Sequence, residues 1–327
     1  MTFETVIQSI FTSLFLVSVI RISTPIIFPA LGSLVSVKAG ASNKALEGLM
    51  LVGAFTGVMV SAYTGNVWLA VLCGMVVAVL ISALLAIFHL YLGTDLFIGS
   101  LAVNMMCSGG TTFLMYIITG DKGNTGNLAS LSVPNVHIPF IKDIPFIGEV
   151  LSGHNVFTYL AFFLTFVIYI FLYRTRYGVS LRAVGENPEA ATSLGINVKR
   201  VRMTALIISG VLSSLGGMNL SMAYLQMFAR DMSAGRGWIG LASVSLGGKK
   251  PLGTMLAAVL FGFSDAIANQ FGSLDIPAQL VTMIPYATTI IALVVYAIQQ
   301  RRAILSRMKK FQKENEEQLK GAPEKSE

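Results

Sequence analysis

Charge is what this sequence lacks most. Only 12% of its 327 residues are Asp, Glu, Lys or Arg, while 54% are hydrophobic, and soluble domains carry about 25% charge. With a mean hydropathy of +0.72, most of the length belongs in lipid. Cysteine is nearly absent. Cys73 and Cys107 both sit inside apolar runs, which excludes a disulfide framework. His89, His137 and His154 are scattered without metal-ligand spacing, so no metal site is expected. No G-x-x-x-x-G-K-[ST] run occurs, and the chain therefore holds no ATP through a P-loop of its own. "GRGWIG" at Gly235–Gly240 matches G-x-G-x-x-G, but the dinucleotide fingerprint needs a strand before it and a helix after it in a soluble βαβ unit. Here it follows "QMFARDMSA" and opens an apolar segment, where glycines suit tight helix contact or a broken helix. No convergent acid, base or nucleophile set appears, so the chain is not expected to be an enzyme.

What is present is a series of apolar runs, near 5–20, 24–36, 48–63, 67–91, 97–118, 154–173, 203–225, 237–248, 251–268 and 279–299. Crossing a hydrocarbon core takes about 20 helical residues. Runs 24–36 and 237–248 fall short and read as half-helices or bent segments. The expected fold is an all-α integral membrane bundle of about 8–10 helices, some short or broken, with both termini cytoplasmic. The first run carries Glu4 and no basic leader or small-x-small cleavage site, so it reads as a retained span. With ten crossings, 18 of the 23 Lys and Arg residues fall on the inner side and five on the outer, as the positive-inside rule requires. The net charge of +7 then reflects loop bias and not nucleic-acid binding. Residues 1–300 form the membrane domain, with an outer loop at 120–153 and a cytoplasmic loop at 174–202. Residues 301–327 form a basic tail that opens as an amphipathic helix and ends in polar residues. "IPFIKDIPFIGEVL" in the outer loop is apolar enough to lie on the membrane surface, and the loop reads either as a lid on the bundle or as a docking surface for an outer partner.

Polar side chains at membrane depth are few, and each normally faces a cavity or a partner. Glu47 and Asp265 lie at or inside span ends and read first as structural, as caps or interfacial groups. Asn104, in "LFIGSLAVNMMCSGG", is deeper; an interhelical hydrogen bond and a cargo contact both suit its amide. Asn219 and Gln226, around "MNLSMAYLQMF", raise the same two readings. So few buried acids leave little machinery for coupling transport to an ion gradient.

One hydrophilic stretch stands apart, "RAVGENPEAATSLGINVKR" from Arg182 to Arg200. Asn187 is a strong N-cap, Pro188 suits the first helical position, Glu189 complements the helix dipole and Gly195 supplies a left-handed stop. A helix of two turns is marginal alone in water, so it packs either on its own bundle or on a soluble partner.

"LRAVGENPEAATSLGINVKRVR" resembles the coupling loop of permease subunits of bacterial ABC importers, in the branched-chain amino acid, simple sugar and nucleoside group. "LGSLVSVKAGASNKALEGLMLVGAF" (Leu31–Phe55) and "GRGWIGLASVSLGGKKPLGTMLAAVLFGF" (Gly235–Phe263) resemble further segments of that group. The likeness covers roughly residues 25–300, and the length with the outer "IPFIKDIPFIGEVL" is most similar to the shorter permease of nucleoside importers. The resemblance implies a permease paired with a second one, often a different chain, around a shared substrate path in the bacterial cell membrane. It also implies a cytoplasmic ABC ATPase that holds the ATP and Mg, no cofactor on this chain, and an extracytoplasmic binding lipoprotein or protein that delivers cargo. Arg182, Gly185, Glu186, Asn187, Pro188, Glu189, Ala190, Ala191 and Gly195 would then serve ATPase coupling. Asn104, Asn219, Tyr224, Gln226 and Trp238 would be candidates for the path. Phe97, Tyr224, Phe228 and Trp238 are aromatics able to stack a base. Sugars or branched-chain amino acids are the alternative cargoes on the same scaffold.

Overall fold

The computed structural model describes residues 12–137, 147–272, 283–284, 287–298, 301–302, 305–306 and 308. In chain order the helices are α1 (Ser13–Lys38), α2 (Leu46–Thr64), α3 (Val67–Tyr91), α4 (Leu96–Thr119), the short α5 (Ile147–Leu151) and α6 (Val156–Arg174). There follow α7 (Arg176–Glu186), α8 (Pro188–Ser193), α9 (Val198–Met218), α10 (Arg236–Leu246), α11 (Pro251–Phe271) and α12 (Ala287–Ile298). α9 runs on through a π-helical turn at Asn219–Tyr224. Among the described residues, seven helices, counting α9 with that turn, are long and apolar enough to cross a membrane. Among the described residues there is no strand, only two isolated bridges. The protein is an all-α polytopic membrane protein.

Local chemistry sets the helix ends. Asn66, Asp95, Asn155 and Thr175 each accept a backbone N–H in the first turn of α3, α4, α6 and α7, satisfying donors that a helix start leaves free. α3 shows Leu72, Val76, Leu80, Leu84 and Phe88 on its exposed side. A four-residue spacing puts these on one face, which suits hydrocarbon. α11 does the same with Leu252, Leu256 and Leu260.

α1 corrects the sequence reading. The runs 5–20 and 24–36 were expected to be separate pieces, the second a half-helix. Residues 13–38 form one continuous helix with Pro25 and Pro29 inside it. Prolines survive in membrane helices where neighbours cover the freed backbone. Every residue from Ile22 to Ser36 is buried, within a sleeve of α6, α9, α10 and α11. Merging the two runs removes one crossing and moves the described start of the chain. Ser13 Oγ donates to Glu149 in the outer loop at 2.7 Å, while Lys38 lies against Gly185 of the cytoplasmic loop. Ser13 thus stands on the outer side, where a cytoplasmic start was expected. The inner share of the charge tally is kept, because Lys38 and Lys44 keep their side, while Arg21 moves from an outer segment into α1.

The expectation of a half-helix near 237–248 fits α10, whose 11 residues span only about 16 Å. Above it, 225–235 descends from the outer side. Phe228 packs edge-on against Phe55 of α2 at 5.3 Å between ring centroids. The described outer loop packs as a lid on the same region: Thr125 N donates to Phe228 O at 2.9 Å and Val133 N to Met222 O at 3.1 Å. The start of the first apolar run, residues 138–146 of the outer loop, positions 279–282 and the tail after 308 lie outside the described residues.

Candidate functional site

The cytoplasmic loop forms a capped two-helix unit. Asn187 Oδ1 accepts the amides of Glu189 and Ala190 at 3.1 and 3.0 Å, and Pro188 opens α8. At the other end, Gly195 N donates to Thr192 O at 2.9 Å and Ile196 N to Ala191 O at 3.0 Å, with Gly195 at φ 78°. That pair of bonds is the Schellman stop, which favours glycine for its left-handed backbone. Ala191 is buried in the main core. Glu189, Ala190, Ser193 and Leu194 face away from the bundle, Leu194 with 78% of its surface free. An exposed leucine on a short, rigidly capped helix is an apolar contact without a partner among the described residues.

The remaining coupling-loop residues divide. Arg182 turns inward: its Nε donates to Leu172 O at 3.1 Å and its guanidinium lies 4.9 Å from the centre of the Tyr173 ring. Gly185 meets the Lys38 carbonyl so closely that a Cβ has no room. These two fasten the loop to the ends of α6 and α1, whereas Glu186 and Asn187 stay exposed. A groove of about 520 Å³ lies beside α8, lined among others by His89, Thr192, Lys199 and Arg202.

A second arrangement lies at membrane depth. Glu47, at the start of α2, extends its carboxylate to the N-terminus of α10. Oε1 accepts Gly235 N at 2.7 Å and Oε2 accepts Gly237 N at 2.8 Å. The helix-start donors and dipole there favour an anion, and the chain supplies its own. Glu47 is a cap, but for a helix nearly two hundred residues away. Asn104 is likewise committed: Oδ1 accepts Gly48 N at 2.8 Å and Nδ2 donates to Lys44 O at 2.9 Å. Arg236 and Asp265 pair at 3.4 Å between α10 and α11, both about four-fifths buried, and so join these two helices.

Between α2, α4 and the 231–235 segment lies a cavity of about 450 Å³, bordered by Glu47, Asn104, Ser108, Asp231 and Ser233. Ser108 Oγ donates to Asp231 Oδ1 at 2.6 Å. Ser233 Oγ is buried without a hydrogen-bond partner among the described residues.

The other path candidates gather elsewhere. Asn219, Tyr224 and Gln226 border an outer recess of about 330 Å³ with Arg21, His154 and Asn155. Arg21 closes it, its guanidinium 4.4 Å from the Tyr224 ring centre. Trp238 borders neither cavity. Phe97 lies under Lys44 Nζ at 4.3 Å, and Phe228 is fully buried. The four aromatics therefore do not form one stacking box. Asn104 and Asn219 belong to different sites.

The family described as branched-chain amino acid transport system / permease component matches residues 15–293. This chain belongs to that family. The permease is 33% identical over 285 residues to the nucleoside ABC transporter permease protein NupC of Lactococcus lactis, covering 84% of this chain and 89% of that one. It is 34% identical over 283 residues to the guanosine ABC transporter permease protein NupQ of Bacillus subtilis, covering 83% and 88%. It is 30% identical over 310 residues to the putative glucose ABC transporter permease protein TsgC13 of Haloferax volcanii, covering 87% and 92%. No solved structure matches it. Sequence reasoning missed three of the permease's cavity residues, Ser108, Asp231 and Ser233. Asp231 drew no reading from the sequence, because the descent of 225–235 into the bundle has no local signature.

Proposed function

We propose that this permease is the membrane subunit of an ATP-driven importer of nucleosides in a bacterial cell membrane. It takes cargo from an extracytoplasmic binding protein and lines a path shared with a second permease. Its energy comes from a cytoplasmic ATPase seated against α8. The observation that carries the ATPase reading is α8 itself: a six-residue helix capped at both ends, with Leu194 bare, on a chain without a P-loop. A helix so short does not hold its shape for its own sake. The nucleoside reading is supported by the names of two of the three relatives described above.

The test is uptake by cells that carry the whole importer. Glu189→Arg and Leu194→Asp keep Asn187 and Gly195 in place and change exposed side chains of the first turn and the C-cap of α8. Uptake is expected to fall at least about tenfold, the effect of ~1.4 kcal/mol at a docking contact, with normal amounts of protein in the membrane. Full uptake by both well-expressed variants would overturn the docking role. If guanosine uptake is absent from an importer that hydrolyses ATP, the nucleoside assignment is wrong.

A further inference from the structure

The cavity beneath the descending 225–235 segment lies near the middle of the membrane. Asn104 is eight residues into α4 and Ser108 twelve, which puts them about 12 and 18 Å from the cytoplasmic end of that helix. Most polar groups around the cavity are already engaged. Asn104 gives both ends of its amide to backbone, and Glu47 gives both oxygens to α10. Two groups remain. Ser233 Oγ is buried, with 1% of the residue exposed, and has no partner among the described residues although the residue borders the cavity. Asp231 holds Ser108 on one oxygen, and among the described residues its other oxygen meets only Arg230 Nε, at 3.5 Å in an open pair. Native structures rarely leave a buried hydroxyl unpaired, and an exposed ion pair binds weakly. Asp231 is thus open to something that enters the cavity, and Ser233 Oγ lies unpaired within its wall.

Their chemistry selects it. A carboxylate only accepts hydrogen bonds, and a serine hydroxyl gives one and accepts others. Together they complement a neighbouring pair of hydroxyls, which offers two donors and further lone pairs. A phosphate fits badly, because Glu47 and Asp231 would face it with like charge. The two cations nearby are both paired, Arg230 with Asp231 and Arg236 with Asp265.

We propose that Asp231 and Ser233 hold the vicinal hydroxyls of an uncharged sugar-bearing cargo during its passage, and so set a preference for ribosides over deoxygenated and phosphorylated relatives. This rests on the nucleoside reading above. Asp231 sits at φ 51°, a left-handed position that aspartate and asparagine tolerate better than most residues.

The experiment measures uptake of labelled guanosine and 2′,3′-dideoxyguanosine by cells that carry the complete importer and no other nucleoside carrier. Wild type is expected to favour guanosine. Asp231→Asn keeps the backbone preference and Ser233→Ala removes one oxygen. Each should lower guanosine uptake by about tenfold, as loss of a hydrogen bond to a charged or buried group does, and leave the dideoxy rate within about twofold. The ratio of the two rates then collapses. If both cargoes fall together, the residues only support the fold and the proposal is overturned. If neither changes, Ser233 serves water alone and the proposal is overturned equally. A wild-type importer that takes up no guanosine refutes the nucleoside reading, a result distinct from an unchanged ratio.

Discussion

Single side chains decide whether this bundle can keep polar atoms in lipid. A carboxylate at membrane depth costs about 2.5–3.5 kcal/mol on insertion scales. Glu47 survives because two helix-start amides meet its two oxygens. Glu47→Ala would strand both amides, each at about 1–3 kcal/mol. The purified protein in detergent should then unfold at a clearly lower temperature, and Glu47→Gln should recover part of the loss through its remaining carbonyl. Equal melting of all three would remove Glu47 from the architecture. Asn187 does comparable work at a site legible in sequence, because its partners are two and three residues away. Glu47 was legible only as a cap or interfacial group. Its partners lie 188 and 190 residues onward, and no local pattern encodes that separation.

Among the elements, α8 was the most legible. An N-cap, a proline at the first position, an acid in the first turn and a glycine stop all act within one or two turns, and each appears where the residues put it. Asn187→Ala should weaken that start by about 1 kcal/mol. Uptake should fall accordingly and return with Asp or Ser at 187; failure of the conservative replacements to rescue would mean that the amide has another duty. α1 was misread because Arg21, Ser23 and Pro25 look like a break when taken alone. Ser23 Oγ and Thr24 Oγ1 return to the carbonyls of Val19 and Ile20 at 2.6 and 2.8 Å, and close packing covers the rest. The half-helix α10 was visible through its shortness, but its cap was not.

The whole molecule has an unfinished side. α4 carries Ile98, Met105, Met106, Phe113 and Leu114 outward, beside a cavity bordered by Asp231. Hydrocarbon suits the first set and not the carboxylate, which needs protein or water across from it. A cysteine in place of Met105 is therefore expected to cross-link to the second permease in the assembled importer, while one at Leu80, on the lipid stripe of α3, should not. Equal labelling of both by a lipid-borne reagent would place α4 against the bilayer instead. Separate sites for Asn104 and Asn219 fit this scale too. On the proposed path, cargo that enters at the outer recess passes the level of Ser233 before it reaches the cytoplasm.

The continuity of α1 makes it a lever. Its lower end touches Gly185 of the cytoplasmic loop, and seventeen residues higher, about 26 Å along the rod, Arg21 rests on Tyr224 at the outer recess. A stiff rod tilted by about 5° at one end moves the other by about 2 Å, enough to lift a cation from an aromatic face. A push delivered under the membrane would then be felt as a latch opening above it, without any signal having to pass through the cavity between them.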